Sequence, residues 1–255
     1  MTSVPPSTPR IDPDARRAST ASTAIETVLE SLLVDIMSGV YAPGARLPAE
    51  RDLARLLGAS RPTLREALRR LGAWQLVEPR RGSGVVVRPL TDWSIEVLPA
   101  YLRHARPVGG APGLARMLLD LLALRRTLLV EVIRLVAGRI PPGGTAAARA
   151  QVARAAAMRG TPSEFVREDF KVMRLVVEAA GLLPAVWMLN RMTSVYREVA
   201  DLLAGQLRVP DDYATSAASY LDAIERGDGD GAASALREYL ERHDRTFTLA
   251  LGLAA

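Results

Sequence analysis

Apolar residues recur at helical spacing through most of the chain, and one short stretch replaces that spacing with two strand-like segments. The first helical pattern begins near Thr23, which fits a capping box, and two shorter helical patterns follow it. A basic, glycine-rich loop joins the two strand-like segments. The predicted elements are helices from Thr23 to Gly39, at about 49–57 and from the N-cap Ser60 onward, and strands at 76–78 and 85–88. This order predicts a winged helix-turn-helix.

The second half of the chain shows helical patterns only. The predicted helices cover about 113–137, 146–158, 163–180, 184–204, 212–226 and 230–250, with Pro or Gly at the breaks. Between the two halves, residues 92–104 are predicted helical with a break or kink at Pro99, and residues 106–112 form a Pro/Gly loop. No β-type alternation and no repeat period is visible. The pattern predicts an all-α bundle of six or seven helices.

These patterns predict a mostly α protein with four parts. Residues 1–21 are rich in Pro, Ser and Thr and are predicted to be a disordered tail. The other parts are a winged helix-turn-helix domain at 22–89, a linker helix and loop at 90–112, and a helical bundle domain at 113–255.

Positive charge is concentrated in the predicted winged helix. Between Arg46 and Arg88 there are ten arginines and four acidic residues, a net charge of +6. The whole chain carries only +5, so everything outside this stretch sums to about −1. Such a local excess is typical of a domain that binds nucleic acid.

Composition removes several other classes of protein. The chain has no cysteine, which excludes disulfides, thiol nucleophiles and cysteine-ligated metals. The N-terminus has no apolar signal-peptide core and no window is long and apolar enough for a membrane span, so we expect a cytoplasmic protein without a membrane partner. With two histidines, no glycine-rich phosphate loop and no carboxylate pair beside an obvious nucleophile, an enzyme is disfavoured.

The predicted third helix begins with side chains suited to a DNA groove. Ser60, Arg61, Thr63 and Arg65 stand at its leading end. Arginine can bond guanine O6 and N7, whereas hydroxyls and helix N-termini suit phosphate oxygens. Arg51, one helix earlier, is placed for a phosphate contact. The alternative is a solvated helix face on which the arginines pair with Glu50 and Glu66.

The segment PGARLPAERDLARLLGASRPTLREALRRL resembles the DNA-binding domain of the GntR family of bacterial repressors and activators, over about Ile25–Arg88. The resemblance implies that DNA is contacted by Arg51, Ser60, Arg61, Thr63, Arg65, Arg81 and Gly82. Since one such helix covers a single half-site, we expect a homodimer on a palindromic double-stranded operator.

Three polar side chains interrupt apolar stripes in the predicted bundle: Arg125, Asp169 and His243. A buried arginine is costly unless it meets an anion. One interpretation is an internal Arg125–Asp169 salt bridge. The other is a ligand cavity in which Arg125 meets a carboxylate, a phosphate or a thioester-linked group, and the two can coexist.

Residues 182–200, LLPAVWMLNRMTSVYREVA, resemble a segment of the fatty-acid-responsive FadR proteins, a branch of the same family. Many members of the FadR-type branch hold a metal with one Asp and three His. The matching positions here are Asp169, Met173, Ala217 and Tyr239, and a chain with two histidines cannot form that site. His243 with Asp169 could offer only a weak partial site, so no metal or other cofactor is predicted. The resemblance instead implies a long-chain acyl-CoA or fatty acid as effector. The candidate pocket residues are Arg125, Asp169, Met173, Tyr196, Tyr239, His243 and Phe247.

Three hypotheses follow from these observations. The first is a transcriptional regulator gated by a ligand, either an acyl-CoA or fatty acid or a smaller organic acid. The second is an enzyme in the bundle. The third is a DNA-binding protein whose degenerate bundle serves dimerisation alone.

Overall fold

The chain folds into two compact units that meet in sequence at Val108 and Gly109. The computed structural model describes residues 13–104, 113–203, 205 and 208–252. The first unit contains α1 (Pro13–Met37), α2 (Glu50–Leu56), α3 (Arg61–Ala73), β1 (Val77–Arg80), β2 (Gly84–Val87) and α4 (Leu98–His104). The described part of the second contains α5 (Leu114–Ala137), α6 (Ala146–Ala157), α7 (Pro162–Ala179), α8 (Leu183–Leu202), α9 (Tyr213–Glu225) and α10 (Gly229–Ala250).

The core of the first unit lies where α1 and α2 pack against α3. Leu32, Leu53, Leu64 and Leu71 are each at most 1% exposed. Fully burying such a side chain stabilises the fold by about 1.5–3 kcal/mol. Because these leucines fix one face of α3 inward, the opposite face of that helix is left to solvent.

The wing is a short antiparallel hairpin of β1 and β2. Its register pairs Val77 with Val87 and Arg80 with Gly84. The segment before α2 adds an outer edge, since Leu47 donates its backbone N–H to Val85 at 2.9 Å. Gly84 has a φ of +73°, a conformation that strongly favours glycine at this tight turn.

The first part of the predicted linker belongs to the first unit. Two short 3₁₀ helices, Leu90–Asp92 and Ile95–Val97, precede α4. The predicted helix from 92 therefore starts only at Leu98, with Pro99 in its first turn, where a missing N–H is tolerated. His104 Nε2 lies 2.7 Å from Glu30 Oε1 on α1. The predicted loop at 106–112 lies outside the described residues.

The predicted start of the first helix at Thr23 is wrong. Helix α1 begins at Pro13, and the carbonyl of Thr23 accepts a bond from the Thr27 hydroxyl inside the helix. Residues 13–21, predicted to belong to a disordered tail, are helical because this segment is rich in alanine and opens with a proline suited to the first turn. Residues 1–12 of that tail lie outside the described residues.

The second unit is a bundle in which each predicted helix is present to within two residues. Helix α5 packs on α7, α9 and α10, whereas α8 packs on α7. Val130, Ile133, Val176 and Ile224 are at most 1% exposed at its centre. The predicted fold class is thus confirmed. Among the described residues, every helix is too short or too polar to span a bilayer.

Candidate DNA-binding surface and effector cavity

The N-terminus of α3 presents a cluster of short hydrogen-bonding side chains. Ser60 is its N-cap: the hydroxyl accepts a bond from the Thr63 backbone N–H at 3.2 Å and lies 2.7 Å from Thr63 Oγ1. Pro62 fits the first turn. Arg61, the first residue of the helix, is exposed. The exposed helix N-terminus favours anions, so a phosphate would be stabilised here.

Some arginines of α3 are held by carboxylates, as one of the two sequence interpretations predicted. Arg65 donates from Nε to Glu50 Oε2 at 2.7 Å. Arg69 donates from Nε and Nη2 to the two oxygens of Glu66, at 2.8 and 2.7 Å. The bonds from Arg69 lower the pKa of Glu66 to about 2, so this pair is ionised at neutral pH.

Other arginines of this unit have no counter-charge in the part of the chain that the structure describes. Within the described ranges, no carboxylate lies within 4 Å of Arg51, Arg61 or Arg81, and all three side chains are exposed. Arg51 lies on α2 and Arg61 on α3, whereas Arg81 lies in the wing turn beside Gly82, whose φ is +73°. The predicted contact positions therefore present unneutralised charge from three elements, which suits phosphate oxygens.

The bundle encloses two neighbouring cavities, of about 60 and 30 Å³. Both are lined by Arg125, Asp169, Phe170, Tyr239 and Leu240. Tyr196, His243 and Phe247 line the larger one, and Met173 lines the smaller. All seven side chains singled out from the sequence therefore surround the same interior space.

Arg125 pairs with Asp244. The predicted salt bridge between Arg125 and Asp169 does not occur among the described residues. Arg125 Nη2 lies 2.5 Å from Asp244 Oδ1, while Arg126 Nη1 bonds the other oxygen at 2.9 Å. The Arg125 guanidinium also lies over the ring of Tyr196, 5.9 Å from its centroid. Nε of Arg125 is buried and has no hydrogen-bond partner among the described residues. A buried donor left unpaired costs about 1–3 kcal/mol.

Asp169 lies among tyrosines. Burial raises the pKa of its carboxyl, and Tyr213 and Arg125 oppose that shift. Burial and the nearby Asp169 raise the pKa values of Tyr213, Tyr220 and Tyr239, so these hydroxyls stay protonated. Tyr213 Oη has no hydrogen-bond partner of normal geometry in the described part of the chain. This cluster offers hydroxyl groups around one carboxyl.

His243 is uncharged at neutral pH. Burial lowers its pKa to about 4, and the positive charge of Arg125 adds to that effect. Its ring stacks with that of Tyr239 at a centroid distance of 6.3 Å. Arg125 therefore contributes positive charge to the lining of this cavity, whereas the neutral imidazole of His243 contributes one hydrogen-bond donor and one acceptor.

Comparisons with known proteins give the chain its family. A family model described as "Bacterial regulatory proteins, gntR family" matches residues 24–87, and one described as "FCD domain" matches 120–242. The HTH-type transcriptional regulator Mce2R of Mycobacterium tuberculosis is 32% identical over 221 residues, covering 85% of this chain and 88% of that protein. The chain belongs to the GntR family.

Within the GntR family, the chain falls in the FadR-type branch. The described part of its second unit is the all-helical bundle to which the FCD model matches. A "Fatty acid metabolism regulator protein" of Edwardsiella ictaluri is 27% identical over 171 residues, covering 67% of this chain and 68% of that protein. As a GntR protein with an FCD domain, this chain is a transcriptional regulator.

The residues at the metal-site positions of the branch do not fit a metal. Asp169, Met173 and Tyr239 line the smaller cavity, and Ala217 is buried nearby in the core cluster. One carboxylate, a thioether and a protonated phenol are a poor donor set for the divalent cations bound by Asp and His. No group of three His, Cys, Asp or Glu side chains suited to a metal occurs in the described part of this GntR protein.

The pairing of Arg125 with Asp244 was not predicted from the sequence. Asp244 is 5% exposed and belongs to the inward stripe of α10, together with Leu236, Leu240 and Phe247. The spacing of these residues is helical, so the pattern contained the signal. The structure thus places Asp244 between Arg125 and Arg126, whereas the sequence pattern indicated Arg125 alone.

Proposed function

We propose that this GntR protein is a ligand-responsive regulator that binds a palindromic operator as a homodimer, and that a small organic acid in the bundle changes its affinity for DNA. The DNA half of the proposal is carried by the exposed arginines at 51, 61 and 81, which have no ion-pair partner in the described part of the chain. Two copies are expected because one α3 covers a single half-site of DNA.

Arg61 tests the DNA half of the proposal. Duplexes selected from a random pool by the full chain define the operator, and their Kd is then measured for Arg61→Ala. We expect a loss of roughly tenfold or more, because a bidentate contact to guanine is worth about 1–3 kcal/mol. Arg69→Gln is the matched control, since Glu66 already neutralises Arg69. Equal affinity of Arg61→Ala and wild type for the selected duplex at physiological salt would contradict the proposal.

The effector half is carried by one observation: the buried Nε–H of Arg125 has no acceptor among the described residues, and Arg125 lines the cavity. Asp244 is shared between Arg125 and Arg126, and Arg126 also lies 3.9 Å from Glu241. The unsatisfied Nε–H of Arg125 favours an anionic acceptor, and the neighbouring hydroxyls favour a polar one. A cavity of about 60 Å³ is far smaller than the usual ligand pocket of about 300–1,000 Å³, which supports a small acid.

A panel of small carboxylic acids, fatty acids and acyl-CoAs in a thermal-shift assay tests this half. We expect stabilisation by a small acid, lost in Arg125→Gln. Arg126→Gln is the matched control: it removes the other partner of Asp244, but Arg126 is absent from the cavity lining. Loss of the response in both variants alike would contradict a direct contact by Arg125.

A long-chain acyl-CoA or fatty acid is the second candidate, favoured by the relative named fatty acid metabolism regulator protein. This effector would require the cavity to widen considerably. Native mass spectrometry of freshly purified protein separates the candidates, because a retained acyl chain has a distinctive mass, and it also reports the homodimer. If no compound in the panel stabilises the protein or copurifies with it, the bundle serves dimerisation alone. Turnover of any compound would favour an enzyme.

A further inference from the structure

We propose that Glu50 is a positioning residue for DNA recognition: it holds Arg65 so that the two terminal nitrogens of the guanidinium are presented to the bases. This inference rests on the proposed DNA-binding function. It assigns a role in sequence recognition to an acidic side chain that would not itself be expected beside DNA.

Three arginines one turn apart on α3 differ in how they are held. Arg61 has no ion-pair partner within the described residues, whereas Arg69 has both Nε and Nη2 bonded to Glu66. Arg65 is intermediate: only its Nε is bonded, by Glu50 at 2.7 Å, and 69% of the side chain is exposed. Arg65 is therefore the member of this row that is restrained while its outer edge remains free.

A guanine base is contacted by the two terminal nitrogens of a guanidinium, which form its outer edge. Nη1 and Nη2 together can donate two parallel bonds to guanine O6 and N7. A long arginine side chain normally loses much rotamer freedom when it forms such bonds. Because Glu50 removes part of that freedom before DNA arrives, binding should cost less entropy. Glu50 lies in the first turn of α2, which packs on α3, so its backbone has a fixed position relative to Arg65.

Charge alone predicts the opposite effect of removing Glu50. An acid near the DNA surface repels phosphates, so its neutralisation should strengthen binding to every duplex. A positioning role predicts weaker binding to the operator and unchanged or tighter binding to a scrambled duplex. The two explanations therefore predict opposite changes in affinity for the operator when the charge of Glu50 is removed.

The experiment uses the full chain and the duplex that wild type selects from a random pool. For Glu50→Gln we expect the operator Kd to rise about tenfold, the expected value of one lost base contact, with no rise for a scrambled duplex. Sequence preference should relax at the same base pair as in Arg65→Ala. In the Arg65→Ala background, Glu50→Gln should cause no further loss of operator affinity. Glu66→Gln, which releases Arg69 instead, is the matched control and should not weaken operator binding.

Unchanged or tighter operator binding by Glu50→Gln would overturn the positioning role while leaving the proposed function intact. A further loss in the Arg65→Ala background would do the same, because Glu50 would then act through the fold. Circular dichroism melting of each variant shows whether a loss of operator binding comes instead from unfolding of the protein. If wild type selects no preferred duplex, the proposed function fails, and the role of Glu50 fails with it.

Discussion

At the scale of single residues, the stability of the bundle interior depends on the balance of charge around Asp244. The side chain of Asp244 is 8% exposed and that of Arg125 is 14% exposed. Burial raises the pKa of the Asp244 carboxyl, while Arg125 and Arg126 lower it again. The carboxylate is thus expensive to bury by itself, and its two guanidinium partners offset that cost.

Removing the charge of Asp244 tests this balance. Asp244→Asn leaves the buried Arg125 without its counter-charge and leaves Arg126 with only the exposed Glu241, and breaking such a buried pair costs about 3–5 kcal/mol. We expect a loss of that order in the free energy of unfolding, measured by urea denaturation of the full chain.

Glu241→Gln is the control for Asp244→Asn. Glu241 lies 3.9 Å from Arg126 in a pair whose carboxylate is 45% exposed, so less than about 1 kcal/mol should be lost. Equal losses in the two variants would show that Asp244 does not balance buried charge.

His243 provides a pH test of the same interior. Its folded-state pKa of about 4 lies below the ordinary value of 6.5, so the unfolded chain binds a proton that the folded chain excludes. Its contribution to stability is therefore complete above pH 6.5 and is lost as the pH falls towards 4, by about 3 kcal/mol. NMR titration of the imidazole should show no protonation above pH 5. Assignment is simple in His104→Gln, which leaves a single histidine, and a midpoint near 6.5 would contradict the buried placement.

At the scale of elements, the cap of α3 combines stability with the proposed DNA contact. Replacing Ser60 separates the two roles. Ser60→Ala removes the bond to the Thr63 N–H and should cost about 1 kcal/mol of stability as well as DNA affinity. Ser60→Asp keeps a good N-cap, so stability should be retained while the added negative charge weakens binding to DNA.

Thermal melting and DNA titration of the two Ser60 variants make this comparison. Ser60→Asn is the neutral control, because asparagine caps as well as aspartate. Ser60→Asp binding DNA as tightly as Ser60→Asn would show that this helix end lies away from phosphate.

The bounds of the helices were predictable where helix-breaking residues mark their ends in the sequence. The six bundle helices have long apolar stripes and breaks marked by Pro or Gly, so their bounds were predicted to within two residues. The start of α1 was missed because the capping signal at Thr23 does not end the helix, which continues back through the helix-forming Ala15, Arg16, Arg17 and Ala18 to Pro13. Local chemistry predicts an end only when the neighbouring chain cannot continue the helix.

The interior of the bundle was predicted in part for a related reason. Helical spacing identifies which side chains face inward, and it indicated Arg125, Asp169 and His243 correctly. Spacing does not tell which inward residue of one helix meets which residue of another. Asp244, and not Asp169, therefore turned out to bond Arg125. Choosing between two inward acids on α7 and α10 requires the packing of those helices, which is tertiary information.

At the scale of the whole molecule, charge and cavity are divided between the two units. The net charge of +6 lies within residues 46–88, whereas Arg125 and the cavity lie in the second unit. An effector bound in the second unit would change DNA affinity only if it prefers the arrangement of the proposed dimer that also binds, or fails to bind, the operator. The proposed regulation is thus a coupling free energy between two sites.

Such coupling must be reciprocal, which gives the last prediction. The factor by which the stabilising organic acid changes the operator Kd must equal the factor by which the operator changes the Kd of that acid. Calorimetry of the acid with and without the selected duplex, beside DNA titrations with and without the acid, measures both factors. Arg125→Gln should abolish the acid-induced change while leaving the operator Kd of the ligand-free protein unchanged, because Arg125 lies in the bundle unit. An acid-induced change of the operator Kd that persists in Arg125→Gln would mean that the acid acts on DNA binding from a site other than this cavity.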